Sequence, residues 1–287
     1  MSTPDTAELG PPDGVRRAAS QSVDPAKSSQ SGSQTVDRAL SILELFSLEQ
    51  PQWTLTEVAA EMGLTVSTVH RLLKSLLTHE MIVVEPVGKR YGLGPGVMRM
   101  AKMLFERDDN HRVYDAAARH MSQLRSTTGE TIGLHRILGQ YRACIAELVS
   151  FQTVRTQTSV GGLLPLHAGA ASKSLIAWLT TAERDQLFSG NKFERLTPRS
   201  PSVRADLEAE LGNVRRLGYA ISEGESVLGA AALSAPIFDS RNNVVASLNI
   251  TGPSERWNRD AMDGHVNELL DAVRSVSSFL GFSGSIP

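Results

Sequence analysis

The chain has 287 residues, of which 41% are apolar and 21% are charged, a composition typical of globular proteins with room for two domains. The formal net charge of −2 excludes a uniformly basic protein that coats nucleic acid. The single cysteine, Cys144, excludes an internal disulfide framework and a cysteine zinc site, and we expect it in the core. No apolar run approaches the roughly 18 residues of a spanning helix, and no signal peptide is evident, so we expect a cytoplasmic protein.

Residues 1–34 are rich in Ser, Pro, Gly and Ala, and no aromatic residue precedes Phe46. Such a segment buries too little apolar surface to offset the entropy lost on ordering, so we predict a disordered tail. Its basic and acidic residues nearly balance, three against four, which argues against a DNA-gripping arm.

Residues 35–93 begin with a helix that we predict from about Val36 to Leu45. The spacing of its apolar residues leaves two apolar faces, one of them holding Ile42 and Leu45. We expect the core stripe to be the other face, made of Ala39, Leu40, Leu43 and Phe46.

A second and a third helix follow, separated by a tight turn. Thr54-Leu55-Thr56-Glu57 matches a capping box, in which the threonine hydroxyl and the glutamate carboxylate satisfy free backbone amides at a helix start. We expect Gly63 to end this helix and Thr65 to cap the next one.

The third helix has two distinct faces. Apolar residues recur at helical spacing to form a buried stripe of Val69, Leu72, Leu73, Leu76 and Leu77. The opposite side carries Ser67, His70, Arg71 and Lys74. Hydroxyl, imidazole, guanidinium and ammonium groups along one exposed stripe suit the DNA major groove.

A short hairpin directly follows that helix. We predict strands at Met81–Val84 and Arg90–Leu93, with Gly88 permitting the turn between them. Three helices and a hairpin in this order indicate a winged helix-turn-helix DNA-binding domain. A generic amphipathic three-helix bundle with a hairpin is the alternative.

The exposed polar residues receive individual roles in this interpretation. We expect contacts with base edges from Ser67, Thr68, His70 and Arg71. Thr65, at the start of the same helix, is also placed at the DNA. Phosphates are assigned to Lys74, Lys89 and Arg90, the last two at the hairpin tip. Few phosphate contacts per copy mean weak binding by one copy, so we expect a homodimer or a larger assembly on DNA.

Residues 94–109 form a predicted linker, with a helix in GPGVMRMAKMLFE. This helix is apolar around most of its circumference, and such a surface requires burial against a partner. We therefore predict dimerisation here, through Met100, Met103 and Leu104.

Residues 110–287 alternate helices and strands, with antiparallel neighbours. Helices are predicted at His111–Thr127, Ala171–Leu179, Val203–Leu217 and Arg259–Leu280. Strands are predicted at Ile132–Ile137, Arg142–Val149, Thr156–Val160, Ala230–Phe238 and Val244–Thr251, the last two as a hairpin across Asn242-Asn243. The fold class is α+β, with a mostly antiparallel sheet flanked by helices, typical of a small-molecule sensor domain.

Several patterns resemble enzyme motifs only superficially. Gly92, Gly94 and Gly96 follow the hairpin and lack the acidic partner of a dinucleotide loop. Ser172-Lys173-Ser174 lacks the glycines of a phosphate loop, and no G-x-S-x-G nucleophile motif accompanies His167. We expect no catalytic residue, no metal and no cofactor. An enzyme fused to a DNA reader and a ligand-independent DNA-binding protein remain the alternatives.

A series of segments resembles the IclR family of bacterial transcriptional regulators. They are GLTVSTVHRLLKSLLTHEMI, TGET (Thr128 to Thr131), PLHAGAASKSLIA (Pro165 to Ala177), VRRLGYA (Val214 to Ala220), Glu225 with Gly229, Ala235-Pro236, and NITGP (Asn249 to Pro253). The resemblance implies a winged helix-turn-helix joined to a GAF-like effector-binding domain. It also implies a homodimer or dimer of dimers (a homotetramer), and a repressor rather than an activator.

Family effectors are small organic acids or aromatic catabolites, and the resemblance implies the same class here. We expect the effector-binding residues to include Leu163, Leu164, Ser222, Ala232, Ser234, Ser247 and Asn249. The chain departs from the family pattern at Ser222, where an acidic residue is common, at Ala232, where cysteine is common, and at Ser172, where glycine is usual.

No charged side chain is evident in this expected pocket. A ligand oxyanion would then depend on neutral donors such as Ser247, Asn249 and Thr251, which alternate on one strand face, or on the helix start near Ala170. The alternative is that these polar side chains satisfy neighbouring backbone groups.

Overall fold

The computed structural model describes residues 33–47, 49–85, 87–106, 110–189 and 193–287. The predicted disordered tail lies outside the described residues up to residue 32. Its last two residues, Ser33 and Gln34, are described, and Gln34 begins the first helix. No helix in the described ranges is long and apolar enough to cross a membrane.

The described residues of the N-terminal part form three helices and a two-stranded hairpin. They are α1 (Gln34–Glu44), α2 (Leu55–Glu61), α3 (Val66–Thr78), β1 (Ile82–Val84) and β2 (Tyr91–Leu93). The strands pair antiparallel, with Ile82 opposite Leu93. Residues from all three helices and from β1 share one core, including Ile42, Val58, Leu73 and Ile82. This is the predicted winged helix-turn-helix.

The buried face of α1 differs from the prediction. Leu40 is 54% exposed, whereas Ile42, assigned to the second apolar face, is completely buried against the other helices. The periodicity of α1 allowed either face to point inward, and packing against α3 decided between them.

The predicted helix boundaries have the expected local causes. Thr54 accepts a hydrogen bond from the Glu57 amide, and the Glu57 carboxylate accepts one from the Thr54 amide at 2.7 Å, which completes the capping box. Gly63 has a φ of 61°, the left-handed conformation that ends α2. Thr65 accepts a hydrogen bond from the Thr68 amide and caps α3.

Two helices connect this part to the sheet: α4 (Pro95–Glu106) and α5 (Asn110–Thr128). A side chain at Gly96 would place its Cβ 2.8 Å from the Glu80 carbonyl oxygen. Glycine therefore allows the start of α4 to pack directly against the end of the α3–β1 turn.

The remaining described residues, 131–189 and 193–287, form one six-stranded sheet with five helices. The elements are β3 (Thr131–Leu138), β4 (Tyr141–Leu148), β5 (Leu163–Pro165), α6 (Ala170–Ile176), α7 (Thr181–Phe188), α8 (Arg204–Leu217), β6 (Ala220–Glu223), β7 (Ala230–Phe238), β8 (Val244–Pro253), α9 (Arg259–Gly264) and α10 (Val266–Phe279). The strand order is β5-β4-β3-β8-β7-β6, and every neighbouring pair is antiparallel.

The two faces of this sheet have different chemistry. One face is apolar and packs against α5 and α10 through residues such as Ile132, Leu134, Leu248 and Ile250. On the other face, the Ser247 hydroxyl donates to the Ala171 carbonyl of α6. We call this second face the polar face.

Two predicted elements of this part need correction, and three further elements of the described residues were not predicted. Residues 156–160 are not a strand, because Ser159 has a φ of 65° and the amides of Thr158 and Ser159 donate to the Glu147 carboxylate. The edge strand is β5 instead. The last predicted helix is two helices, α9 and α10, which meet at His265. The helix α7 and the strand β6 were not predicted.

Candidate nucleic-acid interface and buried polar cluster

Helix α3 presents its polar stripe to solvent. His70, Arg71 and Lys74 are exposed, and within the described part of the chain their side chains make no hydrogen bond or ion pair. Val69 and Leu73, on the opposite side, are completely buried. The hydrophobic effect therefore fixes the helix through one face and leaves the other face with unoccupied donors.

The hydroxyl groups at the start of α3 also serve its cap. Thr65 Oγ1 lies 3.1 Å from Ser67 Oγ and 2.9 Å from Thr68 Oγ1. Ser67 is exposed, whereas Thr68 is half-buried. These three residues lie where the sequence placed them, at the exposed N-terminal end of the helix.

The hairpin separates the two predicted phosphate-binding residues. Lys89 is exposed at the tip and has a φ of 48°, next to Gly88 with a φ of 82°. Arg90 is turned back toward the domain, and its Nη2 donates to the Gln52 carbonyl at 3.1 Å and to Glu57 Oε2 at 3.2 Å. The Arg90 guanidinium, to which a phosphate contact was assigned, is therefore already paired with the Glu57 carboxylate.

Helix α4 carries exposed methionines. Met98, Met100 and Met103 are 75%, 61% and 69% exposed. The side chain of Leu104, the third predicted dimerisation residue, lies outside the described residues. An exposed methionine surface of this kind is typical of protein–protein contact.

A cluster of polar side chains is buried on the polar face of the sheet. His135 in β3, Arg142 in β4 and Asn249 in β8 are 1%, 6% and 3% exposed. Both ring nitrogens of His135, Nε of Arg142 and Oδ1 of Asn249 have no hydrogen-bond partner among the described residues, and neither does Oγ of Ser226. Buried polar atoms are nearly always paired, so a group of unpaired ones in one region indicates a binding site.

Two glycines define how these side chains are grouped. A Cβ on Gly133 would lie 2.5 Å from His135 Nε2, so the imidazole lies over Gly133, which pairs with Asn249 across the strands. A Cβ on Gly169 would lie 2.5 Å from Ser226 Oγ and 3.9 Å from Arg142 Nη1. The cluster therefore has one pair around each glycine: His135 with Asn249, and Arg142 with Ser226.

The electrostatics of the cluster follow from its burial. Desolvation lowers the pKa of Arg142 to about 10, so the guanidinium remains charged at neutral pH. Desolvation and the Arg142 charge hold the pKa of His135 well below 6.5, and the imidazole is neutral. Burial, followed by the charge of Glu147, raises the pKa of the Cys144 thiol to about 12. The cluster thus contains a charged Arg142 and a neutral His135, with the Glu147 carboxylate near Cys144.

The predicted effector residues divide into those with partners and those without. Ser234 and Ser247 are buried and donate to the carbonyls of Leu248 and Ala171, as the backbone-satisfying alternative expected. Asn249 keeps an unpartnered carbonyl oxygen. The remaining members occupy strand positions: Ser222 lies opposite Ala232, Leu163 is 51% exposed, and Leu164 pairs with Arg142.

Two observations bear on the expected pocket, which stays a prediction. A charged residue, Arg142, lies on the same face of the sheet as Ser247 and Asn249. At the helix start near Ala170, the amide of Gly169 donates to Glu225 Oε2. The signal for Arg142 was present in the sequence: it lies two residues before the apolar Cys144 in a strand, so the two side chains share a face. Ala146 lies on the opposite, apolar face, because the strand register shifts between Leu134 and His135.

A separate cleft of about 120 Å³ lies between the β4–β5 edge and the α7 region, lined by aromatic rings that include His167, Phe188 and Phe193. His167 Nε2 lies 2.8 Å from the Glu194 carbonyl oxygen. No residue of this cleft belongs to the buried polar cluster. In the described ranges, no group of three or more His, Cys, Asp or Glu is arranged to hold a metal.

Comparison with protein families identifies both parts of the chain. The family profile "IclR helix-turn-helix domain" matches residues 35–86, and "Bacterial transcriptional regulator IclR C-terminal" matches residues 107–278. The second match alone covers more than half of the chain.

Individual relatives agree with these matches over most of their length. The HTH-type transcriptional regulator XynR of Escherichia coli K12 is 29% identical over 249 residues, covering 87% of this chain and 98% of XynR. The HTH-type transcriptional repressor AllR of the same strain is 27% identical over 252 residues, covering 88% and 92%. The names of both relatives describe regulators of transcription, not enzymes.

A solved structure shows the same fold. The crystal structure of an IclR homologue from Microbacterium hydrocarbonoxydans, complexed with 4-hydroxybenzoate, superposes with a TM-score of 0.69 at 21% identity. The alignment covers 86% of this chain and 98% of that one.

Proposed function

The chain belongs to the IclR family of bacterial transcriptional regulators, and from that premise we propose that a small organic acid or aromatic catabolite controls its binding to a DNA operator. The ligand would bind in the C-terminal domain and the operator at the winged helix. We place the protein in the cytoplasm and infer that it is a repressor, as the relative AllR is.

The DNA-binding surface is the exposed side of α3 together with the hairpin tip. The observation that supports this assignment most strongly is the exposure of His70, Arg71 and Lys74, whose side chains have no partner among the residues that the structure describes. Arg71 suits a guanine edge, because its guanidinium can donate two parallel hydrogen bonds to guanine N7 and O6. Lys74 and Lys89 suit phosphates, and Ser67, Thr68 and His70 suit base edges, with Thr65 holding the helix start.

Effector control is supported by the buried polar cluster. The Microbacterium relative is complexed with 4-hydroxybenzoate, an aromatic acid. A ligand changes DNA affinity only if it binds the DNA-competent and the incompetent arrangements with different affinities. We place the ligand on the polar face, between the sheet and α6. A difference at this position between the DNA-competent and the incompetent arrangement would give the ligand a different affinity for each.

We further infer a homodimer or dimer of dimers, assembled in part through Met100 and Met103 of α4. Each winged helix-turn-helix domain has few basic side chains that could contact phosphates. This supports assembly of more than one copy, because affinity for DNA rises with the number of phosphates neutralised. Two copies double that number and impose a two-fold symmetric operator.

Fluorescence anisotropy tests the proposal. Purified full-length protein is titrated into labelled DNA from upstream of its own gene, against scrambled DNA of equal length, at two salt concentrations. We expect selective binding to the upstream DNA and a change in affinity when an organic acid such as 4-hydroxybenzoate is added. Absence of DNA binding even at low salt would contradict the DNA-binding surface. Affinity that no acid changes would favour ligand-independent binding.

A further inference from the structure

We propose that Arg142 is the specificity-determining residue of the effector site: it binds the carboxylate of a small monocarboxylic acid, while His135 and Asn249 bind a neutral hydroxyl or keto group at the other end of the same ligand. This inference deepens the proposed function and rests on it. It specifies the ligand as a monoanion with one further polar group.

Arg142 differs from the other buried charged residues of the same domain. Lys173, which is 2% exposed, pairs with Glu225 at 2.6 Å and with Glu210 at 2.7 Å. Arg184 pairs with Glu208 at 2.9 Å, and the buried Glu130 pairs with Arg256 at 2.5 Å.

Arg142 is buried, with only 6% of its surface exposed, and no carboxylate of the described chain pairs with it. A buried charge without a partner is among the most costly features a protein can contain. An anion supplied from outside is the missing partner, because it would compensate the charge only when bound. Ser226 Oγ, beside the same point at Gly169, offers a second donor to that anion.

The neutral end of the site lies around Gly133. A side chain there would collide with the His135 ring, so glycine lets the imidazole lie over the strand at Gly133, which has Asn249 on one side and Glu147 on the other. A neutral imidazole has one N–H donor and one acceptor nitrogen, and Asn249 Oδ1 is a further acceptor. Together they match a hydroxyl, which both donates and accepts, whereas a second carboxylate would find no second positive charge.

Glu147 strengthens the discrimination against dianions. It lies opposite Gly133 in the β3–β4 pairing, and its carboxylate receives the amides of Thr158 and Ser159. A second ligand carboxylate beside His135 would therefore approach a negative charge. The site should prefer hydroxy- or keto-monocarboxylates to dicarboxylates and to neutral amides.

Isothermal titration calorimetry on the full-length protein tests this selectivity. The probes are 4-hydroxybenzoate and lactate, with 4-hydroxybenzamide and lactamide as their neutral counterparts. We expect at least one acid to bind about tenfold or more tightly than its amide. Arg142→Met should remove that preference by weakening the acid alone, and Arg241→Gln, at an exposed arginine of the same domain, should retain it.

Thermal unfolding without ligand provides a second readout. Because Arg142 has no carboxylate partner among the described residues, Arg142→Met should leave the midpoint unchanged or raise it. Lys173→Met should lower the midpoint, since it leaves the buried Glu225 carboxylate without its positively charged partner. An equal loss of stability in both variants would make Arg142 a structural residue and overturn the inference.

The remaining outcomes distinguish this inference from the proposed function. If the wild-type protein binds an acid and Arg142→Met binds it equally well, the role of Arg142 is wrong and effector control stands. If acid and amide bind the wild-type protein equally, the carboxylate anchor is wrong. If no acid binds at millimolar concentration, the proposed effector class fails, and this inference fails with it.

Discussion

Arg90 Nη2 and Glu57 Oε2 lie 3.2 Å apart, and this ion pair joins the hairpin to the first turn of α2. The same carboxylate closes the capping box by accepting the Thr54 amide at 2.7 Å. The Thr54 amide and hydroxyl, followed by Arg90, hold the pKa of Glu57 below its usual value. One glutamate, Glu57, therefore both caps the start of α2 and holds the β1–β2 hairpin against it.

This pair distinguishes the roles of two neighbouring basic residues. We expect Lys89→Ala to weaken binding to all DNA sequences alike and to reduce the slope of log affinity against log salt by about one. Arg90→Ala should instead lower thermal stability and leave that slope unchanged, because its guanidinium already has a protein partner. Anisotropy at several salt concentrations checks both. A slope reduced equally by both variants would show that Arg90 binds phosphate after all.

Arg71 is expected to determine sequence preference. Arg71→Ala should weaken operator binding by about 1–3 kcal/mol, because a bidentate guanine contact is lost. The difference in affinity between operator and scrambled DNA should therefore become smaller. Lys74→Ala, the matched control on the same stripe, should weaken operator and scrambled DNA equally. Competition anisotropy measures this difference for both variants, and the reverse pattern would mean that the two roles are exchanged.

The exposed methionines of α4 are expected to mediate self-association. Met100→Glu combined with Met103→Glu places two negative charges on the apolar surface, so the protein should become smaller in multi-angle light scattering. Val87→Glu serves as the control, because it places the same negative charge at an apolar residue of the hairpin that is 88% exposed. An unchanged mass for the double variant would move the dimer interface elsewhere.

Burial of His135 predicts a dependence of stability on pH. The folded state holds the pKa of His135 well below 6.5, so below pH 6.5 the unfolded chain binds a proton that the folded chain does not. This contribution to stability is therefore complete above pH 6.5 and is lost as the pH falls, by about 1.4 kcal/mol per pH unit. Arg142 and Cys144 face the imidazole with pKa values of about 10 and about 12, far from this window. Glu147, opposite Gly133, is the third neighbour, and burial raises its pKa toward the window.

Urea unfolding between pH 5 and 7.5 measures this slope. His135→Gln should flatten it, because an amide does not titrate. His79→Gln, at an exposed histidine, should leave it unchanged. A slope that His135→Gln fails to alter would assign the proton uptake to another group.

The local sequence was sufficient for the DNA-reading part. The spacing of Val69, Leu73 and their apolar neighbours predicted which side of α3 is buried, and Thr54 with Glu57 predicted where α2 begins. Both signals act within one or two helical turns, so the chain encodes them locally. The antiparallel β7–β8 hairpin and the long helices α5 and α8 were predicted for the same reason.

Only the tertiary structure decided which of two plausible faces is buried and what covers it. Leu40 and Ile42 both suited a core, and packing against α3 selected Ile42. Arg142 and Lys173 are both basic residues on apolar elements, yet only Lys173 meets carboxylates, which come from residues 37 and 52 positions further along the chain. Periodicity determines which side chains share a face. Whether a buried charge finds a partner depends on contacts between distant segments, and these form only when the sheet assembles.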